Sequence, residues 1–259
     1  MTGSRSGSVD LAISGQVAVL TLNRPEKLNT LTPQMTAELG AHVSALNQSK
    51  AVRAVILTGV GRAFCAGSDI STLDSYATPW EFGQRVDYGD IVRRLAKPAI
   101  AAINGYALGG GLELALACDI RIASEAATFA APEIKLGWIG GSGQSALLVH
   151  SVGPSNAATM ILTGDPIDAP TAQRWGLTTQ TVTPEALMAE ARRLADTIAS
   201  RAPIAAQTAK SSLRAAHDMT LRDAIALERH LQTICFATDD AREGRRAFGE
   251  RRTPEFTES

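Results

Sequence analysis

Cysteine is scarce. The 259 residues hold 3, at positions 65, 118 and 235, an odd and scattered set that excludes a disulfide framework and a cysteine metal cluster. A reducing, cytoplasmic setting is therefore expected, and no metal. Charge of one sign is missing too: 25 Lys and Arg against 26 Asp and Glu leave a net −1, which argues against nucleic acid as a partner. No apolar run approaches the roughly 18 residues of a membrane span, and the start, Met1 to Ser8, is too short and polar for a signal peptide. No membrane association is expected. The histidines at 42, 150, 217 and 230 are scattered and no G-x-S-x-G elbow occurs, so a serine-hydrolase triad lacks support.

What is present suits a globular enzyme. Hydrophobic residues make up 45% and charged residues 20%, enough apolar material for a sizeable core. At about 150 residues per domain, the length favours one large core with an appendage. Val9–Ile13 and Val17–Asn23, separated by Ser14-Gly15-Gln16, predict an antiparallel hairpin. Thr32-Pro33 opens a helix with Met35, Leu39, Val43 and Leu46 on one face. Ala54–Thr58 is an unbroken apolar run, the mark of a strand covered on both faces. A loop from Gly59 to Asp69, a helix from about Pro79 to Leu95, a strand Pro98–Ile103, a glycine-rich turn, a helix Leu112–Ala117 and a strand Ile120–Ala123 follow. This alternation predicts an α/β fold with largely parallel pairing. From Pro184 the pattern is helical: about Pro184–Ser200, Ala202–Ala216 and Leu221–Phe236, then a charged stretch from Asp239.

The chemistry concentrates between Gly105 and Glu133. Gly109-Gly110-Gly111 stands just before a helix, where backbone N–H groups without acceptors favour negative charge. The tight Cys65-Ala66-Gly67-Ser68-Asp69 loop is a second source of such donors, since loops at the carboxyl ends of parallel strands gather ligands. Two converging N–H groups make an oxyanion hole, each donor contributing about 3 kcal/mol to transition-state stabilisation. The competing explanation is that the glycines merely allow close packing. Glu113 lies one turn into an otherwise apolar helix, where an unpaired carboxylate costs several kcal/mol; it has either Arg121 as a partner or a job. Glu133 follows the short strand-like Thr128-Phe129. Two such carboxylates suit one acid and one base.

These stretches resemble a known family. Leu22–Asn29 (LNRPEKLN), Gly61–Asp69 (GRAFCAGSD), Lys97-Pro98 through Asp119, Pro132–Gly137 (PEIKLG) and Phe236–Gly244 (FATDDAREG) are similar, in order and over nearly the whole chain, to the enoyl-CoA hydratase/isomerase (crotonase) superfamily. The resemblance implies a spiral of ββα units over residues 1–200 and a C-terminal helical trimerisation region over 201–259, assembled as a homotrimer or homohexamer. It implies an acyl-CoA thioester as substrate, with no cofactor beyond the coenzyme A of the substrate. By motif position the oxyanion amides are those of Ser68 and Gly110. Glu113 would hold and activate water for attack at Cβ, and Glu133 would handle the proton at Cα. Backbone groups near Lys27, Leu28, Ala66, Ser68, Asp69 and Ile70 would hold the adenine and pantetheine, and Gly67, Gly109, Pro132 and Trp138 complete the implied substrate-binding residues. Both glutamates together favour hydration of a 2-enoyl-CoA over double-bond isomerisation, dehydration of a specialised hydroxyacyl-CoA, or mere acyl-CoA binding.

Some residues depart from the pattern. Ser68 stands where alanine is common. In Gly137–Leu148 (GWIGGSGQSALL), hydratases usually carry a proline near Gly140 and a Gly-Gly-Thr-Gln-Arg-Leu-like run. Trp138 either lines the acyl pocket or packs into the core. Gly141-Ser142-Gly143-Gln144-Ser145-Ala146 matches the G-x-G-x-x-A dinucleotide fingerprint, with Asp165 beyond it, but no βαβ unit encloses it. Cys65 has no base assigned to it and reads as a small buried residue. The tail arginines 245, 246, 251 and 252 alternate with Glu243, Glu250 and Glu255; Arg251 is at a position where relatives can carry a basic residue near the nucleotide phosphate, and the rest read as a solvated mixed-charge face.

Overall fold

The computed structural model describes residues 7–259; residues 1–6 of the polar start lie outside the described residues. The chain opens with the antiparallel hairpin β1 (Ser8–Ser14) and β2 (Val17–Asn23). Thr32 caps α1 (Pro33–Gln48), its hydroxyl accepting from the Met35 amide, with proline in the first turn. Then come β3 (Ala54–Gly59), β4 (Ala63–Cys65), α2 (Pro79–Gly83), α3 (Tyr88–Arg93), β5 (Ala99–Ile103), β6 (Tyr106–Leu108), α4 (Gly110–Ala117), β7 (Ile120–Ser124) and β8 (Thr128–Ala130). After these, α5 (Gln144–Val152), α6 (Pro154–Thr163), β9 (Ile167–Asp168), α7 (Ala169–Trp175) and β10 (Gln180–Val182) complete the α/β part. Four helices end the chain: α8 (Leu187–Ala199), α9 (Pro203–Asp218), α10 (Leu221–Phe236) and α11 (Asp239–Glu250).

Two sheets result, ordered β1-β2-β3-β5-β7-β10 and β4-β6-β8-β9. From β2 to β10 the larger sheet is parallel, and in the smaller sheet β4, β6 and β8 are parallel. Each repeat therefore places one strand in each sheet: β3 then β4, β5 then β6, β7 then β8. This is the expected spiral of ββα units. Alternation along β3 and β5 explains their unbroken apolar runs. Val55, Leu57, Ala101 and Ile103 point into the main core with α1 and α4, while Ile56, Ile100 and Ala102 meet Leu187, Ala191 and Ala195 of α8 on the other face.

No element was read from the sequence between Glu133 and Pro184, where α5, α6, β9, α7 and β10 lie, and two further strands were missed for being short. β4 lies within the expected Gly59–Asp69 loop and β6 within the glycine-rich turn; three residues carry too little alternation to read. The single helix expected over Pro79–Leu95 is instead two, α2 and α3, because Asp87 starts a new cap, its carboxylate accepting from the Asp90 amide. The charged stretch from Asp239 is the helix α11, capped by Thr238. No helix among the described residues is long and apolar enough to cross a membrane.

Candidate active site

Three parallel strands of the smaller sheet end side by side, and each delivers a piece of the site. β4 leads into Ala66–Asp69, β6 into Gly109-Gly110, and β8 into Ala131-Pro132-Glu133. The carboxyl ends of parallel strands are where a fold of this class offers helix N-termini and free backbone donors.

The loop after β4 is held from behind. Leu31 N–H donates to Gly67 O (2.8 Å) and Asp69 N–H to Leu31 O (3.0 Å), a parallel bridge centred on Ser68. In that pattern the N–H of Ser68 points to the opposite side. Arg24 is buried and its Nη1 donates to Asp69 Oδ2 at 2.7 Å. Hydrogen bonds from Ser71, then from Arg24, hold the Asp69 carboxyl below the usual carboxylate range. Leu28 and Asn29 take positive φ (53° and 56°); Asn29 then donates to Ala63 O at 2.7 Å and accepts from Arg24 N at 2.8 Å. Leu28 O accepts from Ala66 N (3.0 Å). The Arg24–Asn29 segment is thus a brace for the loop. Asp69 and the Ala66 amide are engaged within it, while Lys27 and Ile70 are exposed.

Gly67 (φ 94°) brings this loop against α4: a Cβ there would meet Gly110 N at 3.1 Å. Gly109 is the N-cap of α4 and its carbonyl accepts from Glu113 N at 3.1 Å, so Gly110 N–H, in the first turn, has no intrahelical acceptor. A Cβ on Gly110 would come within 1.8 Å of Tyr88 Oη, and one on Gly111 within 1.9 Å of Cys65 O. Close packing and amide presentation are therefore one device: the glycines let the helix terminus approach the Ser68 loop.

Glu113 is 3% exposed and Glu133 9%. Arg121 is not the partner of Glu113; its guanidinium donates to Leu177 O (2.6 Å) and Cys118 O (3.0 Å). Glu113 Oε1 accepts from Ser142 N at 2.8 Å. Burial pushes the Glu113 carboxyl above its ordinary range, the Ser142 bond opposes this, and the nearby charges of Glu133 and Asp87 add to it. Glu133 Oε2 accepts from Gln144 Nε2 at 3.0 Å. Its other oxygen, Oε1, lies beside Gly109, whose Cβ would meet it at 2.7 Å. Among the described residues, Glu113 Oε2 and Glu133 Oε1 take no hydrogen bond.

Several supporting residues were not read from the sequence. Ser142 holds Glu113 by its amide, donates its hydroxyl to Asp87, and accepts at its carbonyl from Arg93 (2.7 Å). Gln144 is 1% exposed. A Cβ on Gly140 would sit 2.6 Å from the Gln144 side chain, so a side chain at position 140 would crowd Gln144 where it stands. Tyr88 Oη lies 3.3 Å from Ser68 Oγ; burial, then the Glu113 charge, raise its phenol, keeping it neutral. Trp138 is exposed rather than in the core, and its amide donates to Glu133 O at 3.2 Å. Cys65 is buried and its thiol is pushed up to about 12, which excludes a thiolate nucleophile at neutral pH. The fingerprint-like Gly141–Ala146 run leads into α5 with no strand before it. Among the described residues no His, Cys, Asp and Glu group is arranged to hold a metal.

The sequence profile described as enoyl-CoA hydratase/isomerase matches residues 12–259. The chain belongs to the enoyl-CoA hydratase/isomerase family. Family relatives include a probable enoyl-CoA hydratase of Rhizobium meliloti, 42% identical over 93% of this chain and 95% of that one. A probable mitochondrial enoyl-CoA hydratase of Dictyostelium discoideum is 40% identical over 93% and 87% of the two chains. Among solved family structures, the enoyl-CoA hydratase of Bacillus anthracis superposes with a TM-score of 0.92 at 35% identity, covering 98% of this chain and all of that one.

Proposed function

We propose that this enzyme adds water across the 2,3 double bond of a 2-enoyl-CoA to give a 3-hydroxyacyl-CoA. That the chain is a hydro-lyase follows from its near-full-length likeness to hydratases; the mechanism and the residue roles are the proposal. The observation that carries it is the pair of buried carboxylates, each held by one donor and each with one oxygen unbonded, beside two amides that lack acceptors in their own elements.

In this reading the thioester carbonyl oxygen sits between the N–H groups of Ser68 and Gly110. Polarising the carbonyl withdraws electrons from Cβ, and the amides stabilise the enolate oxygen as charge reaches it. Glu113, with Oε1 fixed by Ser142, uses Oε2 to take a proton from the water attacking Cβ. Glu133, with Oε2 fixed by Gln144, delivers a proton to Cα from Oε1. The pantetheine arm runs past Lys27, Leu28, the Ala66 carbonyl, Gly67 and Ile70, and Gly109, Pro132 and Trp138 border the acyl group. No other cofactor takes part.

The same proposal includes assembly as a homotrimer or a dimer of trimers through the helices after residue 200. Its support is α10, sixteen residues long with none buried, presenting Leu221, Ile225, Ile234 and Phe236 outward. A cytoplasmic setting is supported by three free cysteines.

The test is incubation of the purified protein with short, medium and branched 2-enoyl-CoAs. Loss of the conjugated thioester absorbance with a product heavier by one water supports hydration. A shifted double bond without added water, or no change with every substrate, overturns it.

A further inference from the structure

The cavity beside the proposed oxyanion amides is mostly apolar but carries one charge. About 250 Å³ in volume, it is lined by Ser68 and Tyr88 together with apolar residues that include Leu31, Pro33, Leu73 and Val86. Arg85 is the one charged residue lining it. This guanidinium is built into place: Cζ lies 3.9 Å over the Phe82 ring, Nη1 donates to Phe82 O at 2.8 Å, and Phe82 is braced edge-on by Tyr76 at 5.6 Å and 81°. Among the described residues no carboxylate forms an ion pair with it; Glu113 feels it only through space. Among the described residues the other donors of its fork have no acceptor.

A plain alkyl chain gains nothing from such a group, since covering a guanidinium with methylenes removes its water without replacing the hydrogen bonds. A carboxylate replaces them with two parallel charge-assisted bonds, for which the planar fork is shaped. Thr72 and Tyr76 also line the cavity.

We infer that the substrate's acyl group ends in a carboxylate bound by Arg85, so that the preferred class is the mono-CoA thioesters of unsaturated dicarboxylic acids. This rests on the hydratase reading above for the reaction, but the anion site is tested without turnover. Glutaryl-CoA and adipyl-CoA are titrated calorimetrically against the full chain beside pentanoyl-CoA and hexanoyl-CoA, their neutral counterparts of equal length. Charge-assisted hydrogen bonds predict that the better dicarboxylic ligand binds about tenfold or more tightly than its neutral counterpart, with the ratio falling as salt rises. Arg85→Met brings the ratio to about one and Arg85→Lys keeps part of it. Equal binding of the two classes by the wild type, or a ratio that survives Arg85→Met, overturns the inference. Hydration assays on the matching enoyl-CoAs are read separately: turnover of neutral substrates with no binding preference removes the anion site and leaves the hydratase reading, whereas a binding preference with no turnover of any ester does the reverse.

Discussion

Glu113 and Glu133 both lie in apolar segments, yet each is held differently, and the difference has consequences for pH. Burial raises the folded-state value for Glu113 above its ordinary 4.5. Below about pH 4.5 the group is protonated folded and unfolded alike, and it costs nothing. As pH rises through the raised folded value the buried site must accept the charge, so stability falls and then levels. Glu113→Gln is therefore expected to melt a few degrees higher than the wild type at neutral pH, the gain vanishing toward pH 4.5; melting curves across pH check this. Gln144 acts on Glu133 through a single bond at 3.0 Å. Gln144→Met keeps the volume and removes the donor that fixes Glu133, and with about 0.5–1.5 kcal/mol for a hydrogen bond, kcat is expected to fall severalfold to about tenfold while KM changes little. Steady-state kinetics on the same ester read both. Both carboxylates were legible as anomalies, ionisable residues among leucines and alanines. Their holders were not, because Ser142 reaches Glu113 across 29 residues and no spacing rule connects them.

At the scale of elements, the site depends on how closely α4 approaches the loop after β4. The Gly111 Cα faces the Cys65 carbonyl so tightly that a Cβ would stand 1.9 Å from the oxygen, and backbone on both sides cannot yield without moving the helix. Gly111→Ala is expected to part the Ser68 and Gly110 amides and lower kcat by about 10²–10³-fold, the usual loss when an oxyanion donor is misplaced. Kinetics together with circular dichroism, to show that the helices remain, check this. The glycine run was legible as a helix entry. The β6 strand inside it was not, since Tyr106–Leu108 gains its extended form from pairing with β4 and β8. The break between α2 and α3 was equally hidden: Asp87 both caps α3 and accepts from Ser142, a tertiary role that a helical spacing cannot show.

Over the whole molecule, the pattern of alternating strands and helices was enough for the α/β class, and the ordered motifs for the spiral and the family. The tail was read less well. Glu243 is held by Arg252 and Arg246 and accepts from Glu255 N at 3.0 Å, and Arg252 hydrogen bonds, ahead of that backbone bond and the one from Arg246, keep its carboxyl well below the usual range. Part of the supposed solvated face is thus an ordered staple. The last residues also return to the core, with Lys97, itself buried, 3.3 Å from Glu258, and Asp240 accepting from Thr257 N and Glu258 N. Sequence alone could not place these bonds, whose partners are as far apart as 161 residues. What α10 leaves uncovered leads to a prediction at this scale: light scattering is expected to give the mass of three or six chains, and Ile225→Glu with Phe236→Glu is expected to yield smaller species. A monomeric wild type would contradict the assembly.

The most direct measurement is hydration of one 2-enoyl-CoA that the wild type turns over, by Glu113→Gln and Glu133→Gln, with binding of a saturated acyl-CoA measured alongside. Each variant is expected to lose about 10²–10⁴-fold in kcat, the range of general acid–base catalysis, while thioester binding persists because the Ser68 and Gly110 amides are untouched. A variant that still hydrates at close to the wild-type rate would contradict the two-carboxylate mechanism.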